Sequence, residues 1–202
     1  MLNMNIADKI TLLRIILAPV FFIFYFLPAF FPSLFTQGSG WTVPVLWIVV
    51  VAAELTDMFD GMAARKYKIV SDFGKLFDPF ADTFLHVTCF LCFVIDGIFP
   101  VILFLLVLYR EYSILLVRNL MLRKGVSMGS RIGGKIKTVT YVTAGAFAML
   151  DMSLRRLEAL EFLLPYIKTT AIVIFVISVI FSLTSFLDYV SVYKKAEQKN
   201  SG

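Results

Sequence analysis

Long apolar segments constrain the fold of this chain more than any other feature. A helix needs about 20 predominantly apolar residues to cross a bilayer. Segments that reach this length cover residues 9–32, 41–64, 75–97, 99–122, 134–152 and 164–192. Hydrophobic residues make up 59% of the chain and charged residues only 16%, which is more apolar material than a soluble fold of this size can bury. The sequence therefore predicts an all-α, polytopic membrane protein with six transmembrane helices.

The domain organisation is predicted to be simple. None of the hydrophilic runs is long enough to fold separately, so residues 1–202 are predicted to form a single membrane domain. Asp8 and Thr11 precede the first apolar run and predict a helix start at that point. Pro19 and Pro28 predict a kink in that helix or its end.

The distribution of basic residues predicts the topology. Lysine and arginine favour the cytoplasmic side of a membrane protein, and nearly all of them fall at one set of helix ends. Arg155 and Arg156 are the exceptions. Both termini are therefore predicted to face the cytoplasm. A bacterial inner membrane is the expected location, and an organelle membrane is the alternative. The same bias accounts for the net charge of +5, so we expect membrane lipids as partners and no nucleic acid.

The stretch LTDMFDGMAARKYKIVSDFGKLFDPFAD, residues 55–82, brings four carboxylates next to two apolar segments. At about 100° per residue, Asp57 and Asp60 share one arc of the second helix. Asp78 and Asp82 lie on one stripe of the third helix. Unpaired charges are costly in a membrane, and hard divalent cations with oxygen ligands compensate for them. Two Mg²⁺ ions, or Mn²⁺, would balance the four acids, and paired metals are a recurrent device of phosphoryl transfer.

Two alternatives to a metal site are open for this stretch. Salt bridges at the helix ends would also neutralise the acids. A cation-coupled membrane transporter would likewise place acids inside a membrane. The acids cluster at one membrane face and small residues flank them, which favours an enzyme. Those small residues, which let a ligand approach closely, are Gly61, Ala64 and Gly74.

A second cluster of charges lies further along the chain. Arg110 lies inside the fourth apolar segment, and Arg118 follows two turns later on the same side. Lys135 and Lys137 come after a Gly-rich loop. Arginine is costly in a membrane and its planar fork suits phosphate, so these residues predict a phosphate-binding patch. The alternatives are positive-inside topology for Arg118 and an ion pair with Glu111 for Arg110.

The pattern D-x2-D-G-x2-A-R-x8-G-x3-D-x3-D over residues 57–82 resembles the signature of the CDP-alcohol phosphatidyltransferases, with every fixed position present. The segments ITLLRIILAPVF, DPFAD, YREYSILLVR and GKIKT resemble the phosphatidylglycerophosphate synthases within that family. The resemblance implies a six-helix membrane enzyme, usually a homodimer. Such an enzyme moves a phosphatidyl group from CDP-diacylglycerol to an alcohol, here sn-glycerol 3-phosphate, and releases CMP.

The resemblance also implies roles for individual residues. The ligands of two Mg²⁺ ions would be Asp57, Asp60, Asp78 and Asp82. Asp82 would in addition be the base for the acceptor hydroxyl. The residues that bind CDP-diacylglycerol would be Asp57, Gly61, Ala64, Arg65 and Gly74. The charge pattern, rather than the resemblance, predicts that the acceptor's phosphate is bound by Arg110, Arg118, Lys135 and Lys137.

One position departs from the resemblance. Thr83 follows the last acid, where the synthases usually carry a lysine. Inositol phosphate, phosphatidylglycerol and unphosphorylated alcohols such as serine or choline are therefore alternative acceptors. Glu54 lies one helical turn before Asp57 and is interpreted either as orienting a basic partner or as supporting the metal ligands. His86 lies one turn beyond Asp82 and is interpreted either as a packing residue with a hydrogen bond or as a residue that contacts the site.

Overall fold

The computed structural model describes four ranges of the chain, 6–33, 39–67, 72–123 and 132–200. Side-chain positions at 6–8, 57–76, 123, 132, Lys135 and 194–200 lie outside this description. Helices account for nearly all of the described ranges, and no strand occurs in them. The helices are α1 (Ile6–Phe30), α2 (Thr42–Tyr67), α3 (Asp72–Ile95), α4 (Val101–Arg123), α5 (Ile132–Arg156) and α6 (Leu164–Asn200). The predicted all-α class is confirmed.

Membrane crossing is supported for part of this helical set. The segments that are long and apolar enough to cross a membrane, among the described residues, are Lys9–Phe30, Phe77–Ile95 and Glu161–Tyr193. The apolar part of α2, Thr42–Thr56, is shorter. Charges within the helix interrupt the apolar character of α4, which contains Arg110, Glu111 and Arg118. The chain is an integral membrane protein, and six crossings remain a prediction.

Several helix boundaries differ from the sequence-based prediction. α1 begins at Ile6, so Thr11 is not at a helix start but lies buried in the second turn. The same helix continues through Pro19 and Pro28, because neighbouring groups and local adjustments can satisfy the carbonyls that a proline leaves free in a membrane helix. α6 has 37 residues and extends well beyond the predicted range 164–192.

The first of two compact units draws on residues 1–92 and 149–164. α1 packs against α2 in this unit. Ala18, Ala53 and Leu85, one residue from each of the first three helices, form a buried cluster. The two alanines let the helices approach closely. This packing brings α1 beside the two helices that carry the acidic motif.

Polar contacts of Arg156 join three helices in another part of the first unit. Arg156 Nη1 donates a hydrogen bond to Thr42 Oγ1 at 2.6 Å, and Nη2 donates to the Tyr25 carbonyl at 2.9 Å. The guanidinium also lies over the Tyr25 ring, 4.5 Å from its centroid. Arg156 therefore ties the end of α5 to both α1 and α2.

The second compact unit draws on residues 93–148 and 165–202. Phe99 stacks on Phe175 of α6, with ring centroids 4.1 Å apart and an interplanar angle of 14°. Phe93 meets the edge of Phe99 at 5.7 Å. Aromatic contacts of this kind anchor the start of α4 to α6. The single-domain organisation of the whole chain stays a prediction.

Candidate active site

The last two acids of the motif lie one turn apart on α3. Asp78 and Asp82 are four positions apart in the sequence, so their side chains leave the helix within about 40° of each other. The Asp82 side chain is 43% exposed, which leaves it accessible to a ligand. The motif residues whose side chains lie outside the described part of the structure are Asp57, Asp60, Gly61, Ala64, Arg65 and Gly74.

α1 supplies a polar partner to each of the two described acids. Thr11 Oγ1 donates a hydrogen bond to Asp78 Oδ1 at 2.5 Å. Arg14 Nη1 forms an ion pair with Asp82 Oδ1, and the Arg14 side chain is only 1% exposed. Residues three apart on a helix share a face. Thr11 and Arg14 therefore have nearly the same spacing along α1 as the two acids have along α3, and each reaches one of them. Two polar contacts therefore join α1 to the motif helix.

The sequence patterns do not predict either of these α1 residues as part of the site. Asp8 and Thr11 predict a helix start, and Arg14 is one of the basic residues whose distribution predicts the topology. A signal was present in the sequence, because an arginine within an apolar segment is costly and usually functional. The sequence does not show which carboxylate pairs with this arginine, because Asp82 is 68 positions away.

His86 extends the polar contacts of Asp82 along α3. Its Nδ1 lies 2.8 Å from the Asp82 carbonyl oxygen, one turn earlier on the helix. Its Nε2 lies 3.5 Å from Glu54 Oε1 of α2. The ring also packs near Phe90, with centroids 6.2 Å apart. His86 is thus both a packing residue and a link between α2 and the helix that carries Asp82.

In the second unit, Glu111 is the centre of a buried polar network. Its Oε1 accepts hydrogen bonds from Arg110 Nη1 at 2.9 Å and from Lys137 Nζ at 2.8 Å. Tyr141 donates to the same oxygen at 3.1 Å and lies 2.9 Å from Ser182 Oγ. Two of the residues predicted to bind the acceptor's phosphate, Arg110 and Lys137, therefore share one carboxylate partner.

Arg118 has a different environment from Arg110. Its Nη2 donates to the Tyr189 hydroxyl at 3.1 Å, and its guanidinium lies 5.3 Å from the centre of that ring. Arg118 Nε and the buried Ser185 Oγ have no hydrogen-bond partner among the described residues. Gly133, at the start of α5, packs closely against Ser185, since a Cβ added there would lie 3.4 Å from the serine Cβ. Lys135, the fourth predicted phosphate ligand, lies outside the described side chains.

The chemistry of the described acids suits a hard divalent cation. Carboxylate oxygens are the protein ligands that Mg²⁺ prefers, and Asp78 and Asp82 present two such groups on one face of α3. No group of three or more His, Cys, Asp or Glu side chains suited to a metal occurs among the described residues. Asp57 and Asp60 are not among those residues, so the complete four-acid site stays a prediction.

Comparison with known proteins assigns the chain to a family. A family model for CDP-alcohol phosphatidyltransferase matches residues 4–184. The chain is 34% identical over 198 residues to the CDP-diacylglycerol–glycerol-3-phosphate 3-phosphatidyltransferase of Treponema pallidum, covering 94% of this chain and 89% of that protein. It is 31% identical over 150 residues to the Bacillus subtilis protein of the same name, covering 72% and 77%.

A third relative has a similar coverage. The chain is 30% identical over 189 residues to a probable phosphatidylglycerophosphate synthase of Mycobacterium tuberculosis strain H37Rv, covering 93% of this chain and 80% of the relative. The range matched by the family model, residues 4–184, includes the acidic motif and the helices on both sides of it. The complete motif, the helical architecture and the extent of these matches together show that the chain belongs to the CDP-alcohol phosphatidyltransferase family.

Proposed function

We propose that this chain transfers the phosphatidyl group of CDP-diacylglycerol to sn-glycerol 3-phosphate, giving phosphatidylglycerophosphate and CMP. Relatives that match most of the chain carry this activity in their names. The observation that carries the proposal is the pair of acids Asp78 and Asp82 on one face of α3, at the end of a complete family motif. The product places the enzyme in phospholipid biosynthesis.

The reaction is a displacement at phosphorus. The acceptor hydroxyl oxygen forms a bond to the phosphorus that carries diacylglycerol, the bond from that phosphorus to CMP breaks, and CMP leaves with the electron pair. Asp82 takes the proton of the hydroxyl, because a carboxylate accessible to ligands on the motif face can reach it. Gly61, Ala64, Arg65 and Gly74, together with Asp57, bind CDP-diacylglycerol in this proposal.

The acids supply the ligands for the cofactor. The proposed metal ligands are Asp57, Asp60, Asp78 and Asp82. Two Mg²⁺ ions, or Mn²⁺, when bound there, neutralise the negative charge of the substrate phosphates. The polar partners on α1 keep Asp78 and Asp82 on the face that they share.

The acceptor's phosphate binds at Arg118 in this proposal. Arg110 and Lys137 share Glu111 as a partner, and this carboxylate offsets part of their charge. In this proposal they attract the phosphate through their charge at a distance and do not bind it directly. Arg118 Nε keeps a donor that no described residue uses, and a guanidinium suits phosphate oxygens. Lys135 adds a further positive charge on α5.

The membrane topology in this proposal is the one that the distribution of basic residues predicts. The six helices cross a bacterial inner membrane, with both termini and the active site at the cytoplasmic face. CDP-diacylglycerol is a membrane lipid and reaches such a site by lateral diffusion, whereas the soluble acceptor arrives from the cytoplasm. The enzyme acts as a homodimer in this proposal, as its family resemblance implies.

The test is an acceptor panel with purified protein in detergent. CMP release from CDP-diacylglycerol is measured with Mg²⁺ and either sn-glycerol 3-phosphate, glycerol, serine, choline, myo-inositol or inositol phosphate. We expect sn-glycerol 3-phosphate to be used far better than the others, and chelation of Mg²⁺ to stop release. A preference for another acceptor contradicts the substrate assignment, and no Mg²⁺-dependent release with any acceptor contradicts the transferase assignment.

A further inference from the structure

We propose that Arg14 is a positioning residue of this site. It orients the Asp82 carboxylate, and its positive charge shares that carboxylate with a bound divalent cation. The inference rests on the proposed function, because it concerns an acid assigned there as metal ligand and base. Neither the motif nor the family match assigns a role to Arg14.

The first observation that supports this role of Arg14 is its burial. An arginine that serves only to set topology extends its charged group to the membrane surface. Arg14 lies inside the apolar segment Lys9–Phe30, yet its side chain is 1% exposed and points to a carboxylate on another helix. A buried guanidinium is costly unless it is paired, so the contact with Asp82 is a specific feature of the fold.

The geometry of the contact is the second support. Arg14 holds Oδ1 of Asp82, while Thr11, one turn earlier on α1, holds Oδ1 of Asp78. The two acids are thus fixed from one helix face. Reactive groups need supporting contacts of this kind, because a displacement of about 1 Å can lower a rate about 100-fold.

The charge of Arg14 predicts a measurable effect on the affinity of the site for divalent cations. A cation of charge +2 about 6 Å from a guanidinium is repelled even in a medium of high dielectric constant, enough to weaken its binding about tenfold. Removal of the charge should therefore tighten cation binding. Loss of the contact that orients Asp82 should at the same time slow turnover. A residue that only packs α1 against α3 would not move these two quantities in opposite directions.

The experiment measures Mn²⁺ binding by electron paramagnetic resonance alongside steady-state kinetics, for the wild type, Arg14→Met and Arg14→Lys. We expect Arg14→Met to bind Mn²⁺ about tenfold more tightly and to lose about 100-fold in kcat, with a nearly unchanged KM for CDP-diacylglycerol. Arg14→Lys keeps the charge without the planar fork, so it should show wild-type Mn²⁺ affinity and recover part of kcat.

Arg156→Met is the matched control. Arg156 also ties α1 to a neighbouring helix, through the Tyr25 carbonyl, but it contacts no motif acid among the described residues. Its replacement should lower the thermal midpoint and leave Mn²⁺ affinity unchanged. If Arg14→Met folds and binds Mn²⁺ as the wild type does, or more weakly, the counter-charge role is overturned. If Arg14→Met does not fold, a wild-type kcat in Arg14→Lys overturns the positioning role. If the wild type has no transferase activity, the proposed function fails, and the Mn²⁺ titrations still decide the counter-charge role.

Discussion

Lys137 Nζ lies 2.8 Å from Glu111 Oε1, although the two residues are 26 positions apart and belong to different helices. The same oxygen accepts a hydrogen bond from Arg110 at 2.9 Å. Glu111 therefore offsets the charge of two cations inside the second unit, where water is scarce. In the proposed function the acceptor's phosphate therefore interacts chiefly with Arg118, whose Nε no described residue uses, and Glu111 is expected to matter chiefly for stability.

Replacing Glu111 with Gln should lower the free energy of unfolding by about 3 kcal/mol, because the buried Arg110 and the partly buried Lys137 lose their counter-charge. The Glu111 and Arg110 side chains are each 4% exposed, so solvent cannot substitute for the lost carboxylate. The measurement is the thermal unfolding midpoint in detergent. Glu161→Gln, a change at an exposed residue, is the control. Equal midpoints for Glu111→Gln and the wild type would contradict the role of this network.

Asp78→Asn should abolish turnover and leave the protein folded. The amide keeps the shape of the side chain, and its oxygen can still accept the hydrogen bond from Thr11, but the negative charge proposed to hold Mg²⁺ is lost. CMP release at saturating Mg²⁺ and the thermal midpoint are the two measurements. Asp96→Asn, at an exposed turn after α3, serves as the control. Retention of most activity in Asp78→Asn would rule out a metal ligand at this position.

Arg118→Ala should raise the KM for sn-glycerol 3-phosphate about 10- to 100-fold, which corresponds to the loss of one charge-assisted hydrogen bond. The KM for CDP-diacylglycerol should stay nearly unchanged. Tyr189→Phe is the comparison variant, since it keeps the ring beneath the guanidinium and removes only the hydroxyl that Arg118 contacts. Its effect should be smaller. A parallel rise in both KM values after Arg118→Ala would point to a general defect instead.

Gly61→Val should impair use of CDP-diacylglycerol, because a branched side chain would fill space next to the motif acids. The same result is expected for Gly74→Val. Initial rates at varied CDP-diacylglycerol measure the effect, with the KM for sn-glycerol 3-phosphate as the internal control. Normal kinetics in both variants would show that the two glycines serve helix packing alone.

The helices could be predicted from the sequence because the length of an apolar segment is a local property. The predicted segments 41–64 and 99–122 correspond to α2 and α4 within a few residues. The end of α6 was less predictable, since the helix continues beyond its apolar part to Asn200. Polar residues there are compatible with a helix in water as well as with a loop.

The acids of the motif could be predicted as a group, but their partners on α1 could not. Helical periodicity shows that Asp78 and Asp82 share a face. It contains no information on which neighbouring helix meets that face or in which register. Thr11 and Arg14 reach the acids across 67 and 68 positions, and only the packing of α1 beside α3 reveals them.

The pairing of Arg14 with Asp82 also has a consequence for biogenesis. Ribosomes add about 5–20 residues per second, so Arg14 is made about 3–14 seconds before the acid 68 positions later. During that interval the arginine has no access to this carboxylate, and a shallow position at the membrane surface costs less than full insertion. We expect nascent chains that end before Asp82 to release α1 on alkaline extraction, whereas chains that include α3 should retain it.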